Sequence, residues 1–270
     1  MKSVTLVTSK LRNRLERHAP AGVGGGTLRL GASYGIKLRV QPPAALDASL
    51  KVDLDILGPW LSAIKESVQF IQIGAFDGLT NDPIHDLVER FGWRGTLVEP
   101  QRGPFERLRQ TYAGYDGLEF VNAAVAAPGA SMTLWHVADA RSTDPEWIER
   151  SASFDRDHLV RHTHGRQDLI DRIIGAPVET VSLQELFARA SAPVDVLQID
   201  AEGHDARIVA MLDDVAQSPT IVRFEHRNLV AADHADAVAR LADRGYRIGV
   251  NDDDTIAVLY RPGRGTTATH

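Results

Sequence analysis

The 270-residue chain has no cysteine, which excludes disulfide scaffolds, zinc–thiolate centres and thiol nucleophiles. Lysine is almost absent, confined to positions 2, 10, 37, 51 and 65, although lysine and arginine together number 30; this bias marks a GC-rich coding sequence and carries no chemistry. No apolar run approaches the roughly 20 residues of a membrane helix. The basic N-terminus also lacks the apolar centre of a secretory signal, so a cytoplasmic protein without a membrane partner is expected. An excess of positive charge is missing too: 36 acidic residues outnumber the basic ones for a net charge of −6, which offers no general attraction to nucleic acid. What is present is the balance of a soluble globular chain, 43% hydrophobic and 24% charged, enough to build a full core.

Residues 1–50 carry a basic helical stretch near Leu11–His18, the glycine cluster at 22–26 and Pro42-Pro43. They form an N-terminal extension, partly ordered or oligomerising, in which a homodimer contact could lie. From residue 51 the pattern changes. Leu54, Leu57, Trp60, Leu61 and Ile64 repeat at helical spacing and are followed by the apolar strand Phe70–Ile73. Alternation then continues, with helices predicted at 84–91 and 105–112 and strands at 95–98 and 118–125. An extra strand at 131–137 precedes a polar, histidine-rich insertion at about 141–177. The series resumes with helices at 183–190, 205–212 and 235–244 and strands at 194–200, 220–225, 246–250 and 255–260. Residues 51–262 thus read as one α/β domain, a doubly wound, mostly parallel sheet, with a tail at 263–270.

Ile73-Gly74-Ala75-Phe76-Asp77-Gly78 takes an apolar strand straight into glycines, and Leu97-Val98-Glu99-Pro100 ends the next strand on an acid. Glycines let the backbone turn and approach a ligand closely, and an acid at the second tip can accept hydrogen bonds from both ribose hydroxyls. The G-x-x-x-G spacing lacks the G-x-G-x-x-G turn of a dinucleotide site, and Asp77 would repel a phosphate. S-adenosylmethionine, a phosphate-free sulfonium, fits better. In open parallel sheets ligands lie beyond the carboxyl ends of the strands. Two further tips, Asp200-Ala201-Glu202-Gly203-His204-Asp205 and Glu225-His226-Arg227-Asn228, therefore join the same crevice, with groups suited to hard-cation binding or acid–base chemistry.

The segment Phe70–Asn228 resembles the FkbM-type S-adenosylmethionine-dependent methyltransferases. The glycine block 73–78 looks like the family's glycine motif, Val98-Glu99-Pro100 its ribose-binding acid, and Ile199–Asp205 its D-x-E-G-x-E-like signature, the most specific of the three. Gln72 stands where many methyltransferases carry an acid, and Asp205 replaces the more usual glutamate. The resemblance implies a seven-stranded class I methyltransferase fold and methyl transfer to a hydroxyl of a sugar or natural product. Gly74–Gly78, Glu99, Pro100 and Asp200 would then hold the cofactor, with Asn122-Ala123 along the adenine. It implies Mg²⁺ held by Asp200, Glu225 and His226, and acid–base work by Glu202, His204 or His226. An actinobacterial-type methylated polysaccharide is one acceptor consistent with the resemblance and the composition.

Plainer readings stand beside these. Asp200 and Glu202 could cap the following helix. His136, His158, His162 and His164 fit an exposed insertion, and His162-x-His164 lacks the i, i+4 spacing of a helical metal pair. Trp135 and Trp147 suit core packing as well as sugar stacking. A nicotinamide-dependent oxidoreductase using the same Glu99, and a non-catalytic Rossmann-like binding domain, remain open.

Overall fold

The structure is a computed structural model and describes residues 52–259 except 140 and 142. The expected N-terminal extension and the 263–270 tail lie outside the described residues. Helix α1 (Leu54–Ile64) begins where the Asp53 carboxylate accepts the Leu54 amide at 2.7 Å, and it buries Leu54, Leu57 and Leu61. Strand β1 (Gln69–Ile73) is buried along its whole length, as a central parallel strand should be. Then come α2 (His85–Phe91), β2 (Arg94–Val98), α3 (Arg102–Thr111) and β3 (Leu118–Val121).

After an inserted unit the alternation resumes. Helix α6 (Leu183–Arg189) opens on a reciprocal cap between Ser182 and Glu185. It is followed by β8 (Val196–Ile199), α7 (Asp205–Ala210), β9 (Ile221–Glu225), α8 (Ala231–Asp243), β10 (Tyr246–Val250) and β11 (Asp254–Leu259).

These strands form one seven-stranded sheet in the order β3-β2-β1-β8-β9-β11-β10. Its strands run parallel except β11, which is antiparallel to both β9 and β10. The chain winds outward from β1 to β3, then returns to β8 on the other side of β1, so the crossover direction reverses between β1 and β8. Because successive strand residues point to opposite faces, Ile71, Leu197 and Val222 enter one core while Phe70, Val196 and Ile221 enter the other. Two helical layers therefore clamp the sheet, each closed by aliphatic side chains worth about 1.5–3 kcal/mol apiece on burial.

The strand predicted at 118–125 is broken. It leaves the main sheet after Val121, and Ala124–Val125 (β4) instead pairs in parallel with Thr180–Val181 (β7). The polar segment also contains a strand unseen in the sequence, β6 (Ile173–Val178), which pairs antiparallel with β5 (Met132–Val137). Between them lie α4 (Arg156–His162) and α5 (Gln167–Ile170). Val137, Ile148, Leu159, Leu169 and Ile173 give this unit a small core of its own. Arg172 ties it together, pairing with Asp144 at 2.7 Å and donating to the carbonyls of Ala138 and Asp139.

Candidate active site

The reversal between β1 and β8 opens a cleft of about 500 Å³, walled by the strand tips and roofed by the inserted unit. At its floor Gly74 sits at φ +77°, and a Cβ there would fall 1.8 Å from the Asp200 carbonyl oxygen. Only glycine lets the tips of β1 and β8 approach this closely. Phe76 adopts φ +46°, rare for a bulky residue. Its amide donates to Glu99 Oε2 at 2.9 Å, while the Arg107 guanidinium lies 5.4 Å from its ring centre.

Glu99 is buried at the tip of β2, and its Oε1 accepts the Gln101 amide at 2.7 Å. Each carboxylate oxygen thus spends one lone pair on backbone and keeps capacity for a second donor. Burial pushes the Glu99 carboxyl up to about 7 against the pull of those two amides. The missing acid at position 72 has a local replacement. Gln72 Nε2 donates to Asp82 at 2.9 Å, Asp82 also accepts the Ile84 amide, and both residues line the cleft. Gln72 Oε1 is buried without a hydrogen-bond partner.

Opposite, Asp200, Glu202 and Glu225 face the cleft with Asn228, whose amide donates to Glu202 Oε2 at 2.9 Å and to Glu225 Oε2 at 2.7 Å. Desolvation, reinforced by the surrounding carboxylates, pushes Glu202 up to about 9 and Glu225 up to about 7. Asp200 is open to the cleft but walled in by protein, and this raises it against the opposing charges of Arg223 and Arg150. Arg223 is the main balancing cation, bonded to Asp53 at 2.8 Å and to Asp254 at 2.6 Å. Desolvation likewise raises Asp254, to about 6.

The cleft gathers Gly74, Ala75, Phe76, Glu99, Pro100, Ala123, Asp200, Glu202 and Glu225 of the expected site residues. The others turn elsewhere. Asp77 accepts the amides of Leu79 and Thr80 and closes its own loop, Gly78 packs against Leu108 and Tyr112, and the Asn122 amide donates to the carbonyls of Glu99 and Pro100. His204 is buried against Phe154, and desolvation lowers it to about 4. His226 follows Glu225 on the opposite face, where it stacks on His234 and meets Thr255 at 3.1 Å.

Neither imidazole therefore lines the cleft, and the expected Mg²⁺ set of Asp200, Glu225 and His226 does not assemble. Among the described residues the one grouping of ligand atoms within 4.8 Å of each other is His158, His162 and Glu202. The sequence does carry that signal, since His158 and His162 stand four apart on α4, but the polar setting made the insertion read as a solvated surface.

A sequence profile described as the methyltransferase FkbM domain matches residues 72–248, more than half of the chain. The chain belongs to the FkbM methyltransferase family. This FkbM domain has low-identity likenesses among solved structures. One is an FkbM methyltransferase from Methylobacillus flagellatus KT, at 11% identity and TM-score 0.44, covering 72% of this chain and 44% of that one. The chain thus spans under half of that protein's length. Another is a precorrin-6y C5,15-methyltransferase from Geobacter metallireducens GS-15, at 12% identity, TM-score 0.38 and coverage of 73% and 81%. A third is a ribosomal protein L11 methylase from Lactobacillus delbrueckii subsp. bulgaricus, at 10% identity, TM-score 0.38 and coverage of 76% and 75%. No curated protein sequence matches.

The family implies S-adenosylmethionine as cofactor, and the donor set fits it. The glycine loop admits a close approach, the buried Glu99 offers spare acceptor capacity beside it, and unpartnered Gln72 Oε1 with the Asp82 carboxyl suits an ammonium. No helix among the described residues is long and apolar enough to cross a membrane.

Proposed function

We propose that this FkbM methyltransferase methylates a hydroxyl group of a sugar, a polysaccharide precursor or a glycosylated natural product. When bound, S-adenosylmethionine supplies a methyl group already activated on its sulfonium. What the protein must add is position and a place for the hydroxyl proton. Glu99 would hold the ribose, and Gln72 with Asp82 the amino end. Phe154 and Trp147 from the inserted unit present apolar faces for the acceptor.

The observation that carries the hydroxyl reading is Glu225. Its carboxyl, raised to about 7 and fixed by Asn228, lines the cleft together with Glu202. A base poised near neutral pH is matched to taking a proton in the transition state, and Glu225 takes that role in place of His204 and His226.

The proposal includes action in the cytoplasm on a small-molecule or oligosaccharide acceptor, without nucleic acid or membrane as partner and with a possible homodimer as the working form. Incubation with methyl-labelled cofactor and a panel of mannosides, glucosides and macrolides tests it. Label transfer to a hydroxyl oxygen supports the reading, and transfer only to nitrogen or carbon acceptors overturns it. Calorimetric binding of S-adenosylhomocysteine with no turnover on any acceptor class would favour a binding domain instead.

A further inference from the structure

We infer that His158, His162 and Glu202 form a binding site for a divalent first-row transition ion at the wall of the cleft, a site separate from the expected Mg²⁺ set. One ligand atom from each residue lies within 4.8 Å of the other two. His158 and His162 stand one helical turn apart on α4, with ring centres 4.4 Å apart. A helix presents two imidazoles to one point at this i, i+4 spacing.

The site is desolvated rather than a surface accident. His158 is only 8% exposed, and its Nε2, like His162 Nδ1, is buried without a hydrogen-bond partner. A buried imidazole nitrogen left unpaired carries a desolvation penalty, which coordination removes.

The third ligand comes from the β8 tip. Glu202 adopts φ +47°, and its backbone carbonyl accepts the Ser153 hydroxyl at 3.1 Å, which fastens the inserted unit to this loop. Its Oε2 accepts from Asn228, leaving the other oxygen for an ion. Zinc coordination places such atoms roughly 2.0–2.2 Å from the ion, so the three side chains would close in on binding.

The donor set decides the class of ion. Two imidazoles and one carboxylate suit Zn²⁺, Co²⁺ or Fe²⁺, whereas Mg²⁺ and Ca²⁺ require mostly oxygen. Three protein ligands leave at least one position open. Because His162 and Glu202 line the main cleft, that position borders the space proposed for the acceptor.

The test titrates Zn²⁺, in competition with a chromophoric chelator, into untagged full-length protein previously dialysed against EDTA. Co²⁺ serves as a spectroscopic probe. One equivalent is expected to bind, with Co²⁺ giving ligand-field bands in the visible. His158→Asn and His162→Asn should each weaken Zn²⁺ by more than the roughly 10–100-fold typical of second-shell changes, and His136→Asn should leave it unaltered. S-adenosylhomocysteine binding reports the fold of each variant, and the near-isosteric Glu202→Gln should show the same loss if a histidine variant fails to fold. Zn²⁺ bound equally by wild type and these variants, Zn²⁺ displaced by equimolar Mg²⁺, or no binding at all would overturn the site. Zn²⁺ binding without S-adenosylhomocysteine binding would support the site while removing the cofactor assignment.

Discussion

Replacing Glu99 by glutamine tests the proposed ribose contact of this acid separately from its structural role. The carboxylate accepts two backbone amides, from Phe76 at 2.9 Å and Gln101 at 2.7 Å. A glutamine keeps one oxygen and turns an amide nitrogen toward the other N–H, losing one charge-assisted bond worth about 1.5–3 kcal/mol. The substitution also removes a buried charge. The rise of Glu99 from its ordinary 4.5 to about 7 corresponds to about 3 kcal/mol against the ionised native form above pH 7, at 1.36 kcal/mol per pH unit.

The two effects nearly cancel at pH 8. A group whose native pKa is raised stabilises the fold below its unfolded value and loses that contribution as pH rises toward the native value. Wild type therefore weakens between about pH 4.5 and 7 through this group, a contribution the glutamine variant lacks, and the variant should gain relative stability across that window in thermal melts. Cofactor binding has no such compensation. Losing charge-assisted acceptance of two ribose hydroxyls, about 1.5 kcal/mol each at the low end, predicts about 100-fold weaker S-adenosylhomocysteine in calorimetric titration at pH 8. Unchanged affinity in a variant as stable as wild type would refute the placement of the ribose at Glu99.

Four further outcomes follow from the geometry. Gly74→Ala adds a Cβ 1.8 Å from the Asp200 carbonyl at a φ of +77°; it should cost roughly 3 kcal/mol or more and abolish S-adenosylhomocysteine binding, as melts and titration will show. Glu225→Gln should lower kcat by about 10²–10⁴-fold and remove the rise in rate near pH 7, with cofactor affinity preserved. Arg223→Ala leaves Asp53 and Asp254 without their cation and should destabilise by about 2–3 kcal/mol, less than a fully buried pair because both acids are partly exposed; denaturant melts measure it. With Glu225 raised to about 7 and Glu202 to about 9, native protein binds more protons than unfolded protein above about pH 4.5. Metal-free protein should therefore melt at progressively lower temperature from pH 5 to 9, and Glu202→Gln should flatten the upper part of that decline.

Local chemistry that acts within a few residues was readable along the chain. The alternation of strand and helix, the glycine turn at 74–78 and the acid-tipped second strand all depend on short-range sterics and periodicity, and the structure reproduces them. His226 shows where this stops. It adjoins Glu225, but a strand end sends successive side chains to opposite faces, so once Glu225 faces the cleft His226 must face Thr255 and His234. His204 is displaced similarly: Glu202 and Gly203 both take positive φ, and the chain turns before the imidazole is placed against Phe154. The break of the 118–125 strand reflects competition, because Ala124 and Val125 find a better partner in Thr180 and Val181, more than fifty positions away.

By itself the amino-acid order determined that a doubly wound sheet would open on a close backbone turn beside an acid-tipped second strand, since those properties reside in single residues and their immediate neighbours. Only the tertiary structure decided which carboxylates share one desolvated cleft, which histidines face it, and that a segment reading as polar surface folds on its own core into a roof. Those outcomes depend on burial and on partners distant in sequence, and neither charge, exposure nor direction of a side chain is set until the sheet and the inserted unit have packed.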